Sequence, residues 1–175
     1  MSLTMKESIE KSNRVILRYT QKEDINFVLK AEQDSDNSPY VGQWTKEEHL
    51  KSLLNTDIIH LIIDDFKQNK KIGYAILAGI NNENKSIELK RIVVIDKGKG
   101  FGKEFLNLIK KLVFERLNAH RLWLDVREFN ERAQNVYKSE GFNKEGVLRE
   151  CILYNEKFVS LIVMSILEKE YKNSN

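Results

Sequence analysis

The amino-acid sequence predicts an α/β fold, a mixed and mostly antiparallel twisted sheet of about seven strands flanked by helices. Three observations predict it. Short β-rich runs outnumber helical ones and come as neighbours separated by tight polar breaks, as hairpins do. Helical periods open at Thr-x-x-Glu signals or directly after glycines. One passage, from residue 87 to residue 126, runs strand, helix, strand, which implies a parallel pair joined by a right-handed crossover.

The elements follow in order. "NRVILRY", Asn13 to Tyr19, alternates as a first strand. Thr20 and Glu23 have capping-box spacing and open a helix running to about Gln33. "DSDNSPYVGQW" is polar, holds the single proline, Pro39, and reads as a loop. Thr45 and Glu48 form a second capping box before a short helix ending near Leu54. "DIIHLIIDD" and "KIGYAILAGI", separated by "FKQNK", make a hairpin, and "NNEN" turns into a strand from Ile87 to Ile95. Phe101, Phe105, Leu108, Ile109, Leu112 and Val113 then recur at helical spacing. "HRLWLDV" is a strand, and "ERAQNVYKSEGF" a short helix stopping at Gly141, a C′ position. "GVLRECILY" and "KFVSLIVMSIL" close the fold as a hairpin turning at Asn155 and Glu156; the last strand is apolar on both faces and should be central.

The 175 residues fit one domain, expected over residues 5–170, with Met1 to Thr4 as a leader ahead of a second methionine and residues 171–175 as a frayed tail. A net charge of +3 without a dense basic run argues against nucleic-acid binding. No apolar run is long enough to span a bilayer and no signal peptide opens the chain, so the expected location is cytoplasmic. Cys151 is the single cysteine, so no internal disulfide forms, as suits a reducing cytosol.

The densest chemical signal is "RIVVIDKGKGFGKEFL", Arg91 to Leu106. Gly98, Gly100 and Gly102 fall between a strand and a helix, with Lys97, Lys99 and Lys103 among them. A helix N-terminus carries unpaired N–H groups and about half a positive charge. Glycines ahead of it let backbone approach a phosphate closely. The same spacing also serves a tight turn that needs positive φ, and the glycines alone leave both readings open. The loop is neither a P-loop, since Lys97 replaces its first glycine and Glu104 its hydroxyl, nor a dinucleotide fingerprint, since Lys103 replaces its last glycine.

About thirty residues downstream, "NERAQNVYKSEGF" sets Asn130, Ala133, Tyr137, Gly141 and Phe142 in fixed steps after a strand. Together the two stretches resemble the GNAT superfamily of acyl-CoA-dependent N-acyltransferases. Its loop pattern is [QR]-x-x-G-x-[GA] and its later pattern N-x-x-A-x-x-x-Y-x-x-x-G-F. Lys97 departs from the usual Gln or Arg; it keeps the charge and loses the guanidinium fork. "ELKRIVV", "HRLWLDV" and "EGVLRE" resemble the branch holding ribosomal-protein N-terminal and spermidine acetyltransferases.

The resemblance implies an N-acetyltransferase moving acetyl from acetyl-CoA directly to a primary amine of a small molecule or protein N-terminus. It makes Lys97, Gly98, Lys99, Gly100, Phe101, Gly102 and Lys103 a cofactor-binding loop, with the pyrophosphate on the main-chain N–H groups of Lys99 to Lys103. The pantetheine would lie along the backbone of Ile92, Val93 and Val94 and near Asn130, which also suits a helix N-cap. Tyr137 is the implied general acid, its phenol close enough to a thiol in acidity for balanced proton transfer; otherwise it is a packing aromatic. The acceptor needs a base, because a lysine-like amine is neutral in only about one molecule in a thousand at pH 7, a deficit of roughly 4 kcal/mol. Glu88 stands where some family members carry that base; the alternative is a solvated strand-end carboxylate. His49, His60 and His120 show no ligand spacing, so no metal is expected, and His60 reads as a satisfied core residue. Cys151 reads as packing. Tyr40 and Trp44 are candidates to roof the acceptor pocket, with Asp34, Asp36, Glu47 and Glu48 to attract a cation; the simpler alternative is a solvated loop and the first turn of a helix. The apolar final strand offers a surface for a homodimer. A non-catalytic acyl-CoA-binding or regulatory module on the same fold is the competing function.

Overall fold

The computed structural model describes residues 8–174, so the expected leader, Met1 to Thr4, lies outside the described residues. The elements are β1 (Ser8–Lys11), β2 (Val15–Tyr19), α1 (Ile25–Gln33), α2 (Lys46–Ser52), β3 (Ile58–Asp65), β4 (Lys70–Ala78), β5 (Ser86–Val94), α3 (Phe101–Lys111), β6 (Arg121–Arg127), α4 (Glu131–Ser139), β7 (Asn143–Tyr154), β8 (Lys157–Leu167) and α5 (Glu168–Asn173). They build one eight-stranded sheet in the order β1-β2-β3-β4-β5-β6-β8-β7. Every adjacent pair is antiparallel except β5 and β6, the two strands joined through α3. The strand beyond the expected seven is β1. Its four residues contain one apolar side chain, Ile9, too little for a periodic signal.

Two apolar layers sandwich the sheet. On one face, Phe101, Phe105, Leu106 and Ile109 of α3 pack on Leu61, Ile63, Leu77, Leu89 and Leu122. On the other, Val28 and Ala31 of α1 cover Ile62, Tyr74, Ile76 and Val93. Strand β8 runs between β6 and β7, as its two apolar faces require. The β7–β8 hairpin turns at Asn155 and Glu156, both at positive φ, 47° and 61°.

Of three local expectations, one holds and two are corrected. The Thr45–Glu48 capping box forms, with reciprocal bonds of 2.7 and 3.2 Å. The Thr20–Glu23 box does not. Instead the carboxylate of Asp24 accepts from the backbone N–H of Gln21 at 2.8 Å, and the Thr20 hydroxyl turns to His60 Nδ1, also at 2.8 Å. A single 3-10 turn over Lys22–Asp24 therefore precedes α1. The tail expected to fray after Glu170 is α5, because the Tyr171 ring stacks on Phe114 with centroids 5.0 Å apart.

The sheet is split at its centre. β5 and β6 share three rungs only: Ser86 with Arg121, Ile87 with Leu122, and Glu88 with Trp123. Beyond them β5 stays with β4 and β6 with β8. At the branch point Lys90 is an extra residue, since Leu77 faces Leu89 while Ile76 faces Arg91. Such a bulge bends its strand and increases local twist, which carries β5 away from β6.

Candidate active site

The split opens a cleft of about 940 Å³. Its lining draws on the two diverging strands, the glycine loop, α4 and the loop after α1. The glycine loop forms its mouth. Gly98 and Gly100 have φ of 80° and 81°, a region that L side chains rarely adopt, so the tight-turn reading is correct. The phosphate reading fits the same loop. A Cβ at Gly98, Gly100 or Gly102 would meet nothing within 4 Å, which leaves space directly above the backbone. Among the described residues, the N–H groups of Gly98 to Lys103 have no hydrogen-bond acceptor. These are the unpaired donors at the start of α3. Lys97 points elsewhere: its ammonium donates to the carbonyl of Asp36 at 2.5 Å and so ties the loop after α1 to the cleft rim. Burial holds its pKa below the usual lysine range.

Beyond the glycine loop, Ile92, Val93 and Val94 pair with Ala75, Tyr74 and Gly73 on one side. Their other edge faces the split, free to accept a ligand as an added strand. Unpaired loop amides, an open strand edge and a through-sheet cleft together suit an extended ligand that carries a diphosphate.

Residues 14–143 match the family model described as "Acetyltransferase (GNAT) domain". The chain belongs to the GNAT acetyltransferase family. It is an acyl-CoA-dependent N-acyltransferase that moves acetyl from acetyl-CoA to an amine. Among its relatives is the spermidine N(1)-acetyltransferase of Vibrio cholerae, 27% identical over 173 residues, covering 93% of this chain and 98% of that protein. The putative [ribosomal protein bS18]-alanine N-acetyltransferase of Bacillus subtilis is 26% identical, covering 89% of this chain and 98% of its own length. Among solved structures, the spermidine N-acetyltransferase of Vibrio cholerae in complex with CoA and spermine superposes with a TM-score of 0.83 at 25% identity, covering 93% of this chain and all of that one.

In this GNAT chain the two faces of the split carry different chemistry. Glu88 stands opposite Ala78 and beside Trp123, and Trp123, Asp125 and Arg127 alternate onto that same face, the α1 side. After the bulge Arg91 joins them, its guanidinium 2.9 Å from Glu32 of α1. Tyr137, Val136 and Ala133 of α4 pack against the opposite, α3-side core. The cleft thus runs through the sheet, with carboxylates on one side and phenol and loop amides on the other.

Tyr137 is half-buried, its ring 5.8 Å from Phe142. Burial, and then the negative charge of Asp125, push its phenol above the usual range. It is therefore a firmly protonated and weaker acid than spacing alone suggests. Glu88 has its carboxyl raised by burial first; Lys90, 3.7 Å away, works against the rise and Asp125 adds to it. Asn130 caps α4, its Oδ1 accepting from the Ala133 N–H at 3.2 Å, and it also lines the cleft.

Other expectations meet mixed outcomes. Tyr40 and Asp36 line the cleft, whereas Asp34, Trp44, Glu47 and Glu48 do not. Trp44 instead lies under Arg91, whose guanidinium is 4.2 Å from the ring. His60 is a satisfied core residue, bonded to Thr20 and to His49 at 3.2 Å; burial, with His49 beside it, pushes it down to about 3. His49 is less scattered than the sequence suggests: its Nε2 lies 3.2 Å from Glu32, within ion-pair range but off the direction of a hydrogen bond. Cys151 is exposed on β7 rather than packed.

Sequence reasoning missed Asp125, Arg127 and Arg91 as cleft residues. Alternation in "HRLWLDV" sets Trp123 and Asp125 on the face opposite Leu122 and Leu124. Their place beside Glu88 needs the register of two strands joined across some thirty residues, which one sequence does not state.

Proposed function

We propose that this enzyme acetylates a primary amine of a small, linear polycation of the spermidine class. The observation that carries the proposal is the through-sheet cleft, with loop amides and Tyr137 on one side of the split and Glu88 and Asp125 on the other. The glycine-loop amides, Gly98 to Lys103, hold the CoA pyrophosphate, and the open edge of Ile92 to Val94 with Asn130 guides the pantetheine arm. Carboxylates at the acceptor end, with Asp36 at the rim, attract a cation. The relatives named spermidine N(1)-acetyltransferase support the substrate class.

The reaction balances as follows. The ammonium gives one proton to Glu88. The freed nitrogen lone pair attacks the thioester carbonyl carbon, a C–N bond forms, and the carbonyl becomes an oxyanion. Collapse breaks the C–S bond, and the leaving thiolate takes the proton of Tyr137. The second nitrogen proton departs as the amide forms and returns to the tyrosinate through solvent. Binding the cation near Asp125 lifts part of the negative field that raises the phenol, restoring some of its acidity as the acceptor enters.

A protein N-terminus is the second acceptor, favoured by the likeness to a ribosomal-protein alanine acetyltransferase. The same proposal locates the enzyme in the cytoplasm, away from membrane and nucleic acid; no helix among the described residues is long and apolar enough to cross a membrane. It assigns a homodimer contact to the exposed side of β7 and the hairpin tip, where Leu148, Leu153 and Phe158 are open to solvent, rather than to the internal β8.

The test is release of free thiol from acetyl-CoA with spermidine, an alanine-initiated peptide, an aminoglycoside and free lysine, beside a thermal-shift screen. CoA and acetyl-CoA should raise the melting temperature; ATP and NAD should not. Turnover with the peptide alone would move the acceptor class to protein termini.

A further inference from the structure

We propose that Asp125 seats the acceptor's ammonium group in the split, beside Glu88. The inference deepens the acetyl-transfer reading above and rests on it.

Three observations converge. The first is position. Glu88 belongs to the last rung shared by β5 and β6, and Asp125 lies two residues further along β6, on the same face, where the strands have parted. An amine passing through the split toward a thioester on the α3 side meets these two carboxylates.

The second is pairing. The Asp125 side chain makes no hydrogen bond or ion pair among the described residues, although it lines the cleft. The cleft's arginines on that face are already engaged. Arg91 is held by Glu32 and stacked on Trp44. Arg127 donates to the carbonyl of Pro39 at 2.6 Å and lies 4.3 Å over the ring of Tyr154. Lys90 is the cation acting on Asp125, and its ammonium sits nearer Glu88. Asp125 is exposed on the cleft wall, so its carboxylate is open to a cation brought by the substrate.

The third is reach. The charge of Asp125 raises both the Glu88 carboxyl and the Tyr137 phenol, so it stands within electrostatic range of both groups between which the reacting nitrogen must pass. Its effect on catalysis is two-sided. It attracts the ammonium, and it makes that ammonium slower to release a proton. The role is therefore visible in binding more than in turnover.

The experiment compares wild type with Asp125→Asn, Asp125→Glu and Glu88→Gln, using spermidine as acceptor and thiol release as readout. Asp125→Asn should raise KM for spermidine about tenfold or more, leave KM for acetyl-CoA near wild type, and lower kcat by no more than about threefold. Asp125→Glu should recover most of the affinity. Glu88→Gln should show the reverse split, a large loss in kcat with little change in KM. Removing the Asp125 charge should also move the acid limb of kcat/KM to lower pH, because Glu88 then ionises against one negative neighbour fewer. Asp125 has no side-chain partner to lose, and an undiminished CoA-induced melting shift confirms that the variant is folded. An unchanged spermidine KM in Asp125→Asn overturns the inference alone. A wild-type protein that releases no thiol with any amine overturns it together with the acetyl-transfer reading.

Discussion

Tyr137 shows how environment decides what a side chain can do. Its spacing from Asn130 and Gly141 is legible in the sequence, and so was the proposed role. Its altered acidity was not, because burial and the charge of Asp125 arise from contacts between α4 and β6. Replacing Tyr137 with Phe keeps the ring that packs near Phe142 and removes only the proton. Turnover should fall by about 10² to 10⁴, the usual worth of a positioned acid, while CoA affinity measured by calorimetry stays at wild type. Unchanged turnover would assign the thiolate's proton to water. Glu88 gives the complementary pH signature. Its raised carboxyl is protonated at pH values where an ordinary glutamate is ionised, so the base form is gained only as pH rises through that higher value. The acid limb of kcat/KM should accordingly lie above the normal carboxylate range and vanish in Glu88→Gln.

At the scale of elements, the order of strands and helices was legible because apolar period and turn chemistry are local. The hairpins, the second capping box, the central last strand and the Gly141 terminus all follow from residues within one or two turns of each other. What escaped depended on distant partners: Thr20 abandons its cap for His60, and α5 exists because Tyr171 finds Phe114. Truncating Tyr171 to Ala should therefore loosen α5 and lower stability by about 1–3 kcal/mol in urea unfolding, with acetyl transfer intact. The glycine loop makes the opposite case. The Cβ of a valine at Gly100 meets no atom of the protein within 4 Å, so its main cost to folding is the left-handed backbone, about 1–2 kcal/mol. Its cost to binding is the volume that a diphosphate would fill. Gly100→Val should thus abolish the CoA-induced melting shift while the protein still folds; retained tight binding would reduce the loop to a turn.

For the whole molecule, a sheet that gives up ladder bonds at its centre is tied elsewhere, and on the α1 side buried charge links its strands to the helical layer. Arg18 of β2 bonds Asp24, ahead of α1, at 2.7 Å and Asp64 of β3 at 2.5 Å. Glu32 of α1 gathers Tyr74 of β4 at 2.6 Å, Arg91 of β5 at 2.9 Å and the backbone of Trp44 at 3.2 Å. These two knots fasten the helical layer to β2 through β5, the half of the sheet that diverges from β6. Burial alone would raise both carboxyls. Hydrogen bonds from Arg18, the Gln21 backbone and Lys71 hold Asp24 well below the usual range instead, and His49, Tyr74 and Arg91 lower Glu32. Because the folded values are depressed, their stabilisation is present in full above the unfolded carboxylate range, near pH 4, and is lost as pH falls below it. The urea midpoint should hold steady from pH 7 to about 5 and then drop steeply under pH 4. Arg18→Met leaves Asp24 buried without its main partner. It should cost about 3–5 kcal/mol at pH 7 and flatten the acid dependence, since a carboxyl that has lost its arginine gains little by staying ionised. An acid slope as steep in Arg18→Met as in wild type would place the pH-sensitive link in the Glu32 knot, where Glu32→Gln repeats the measurement.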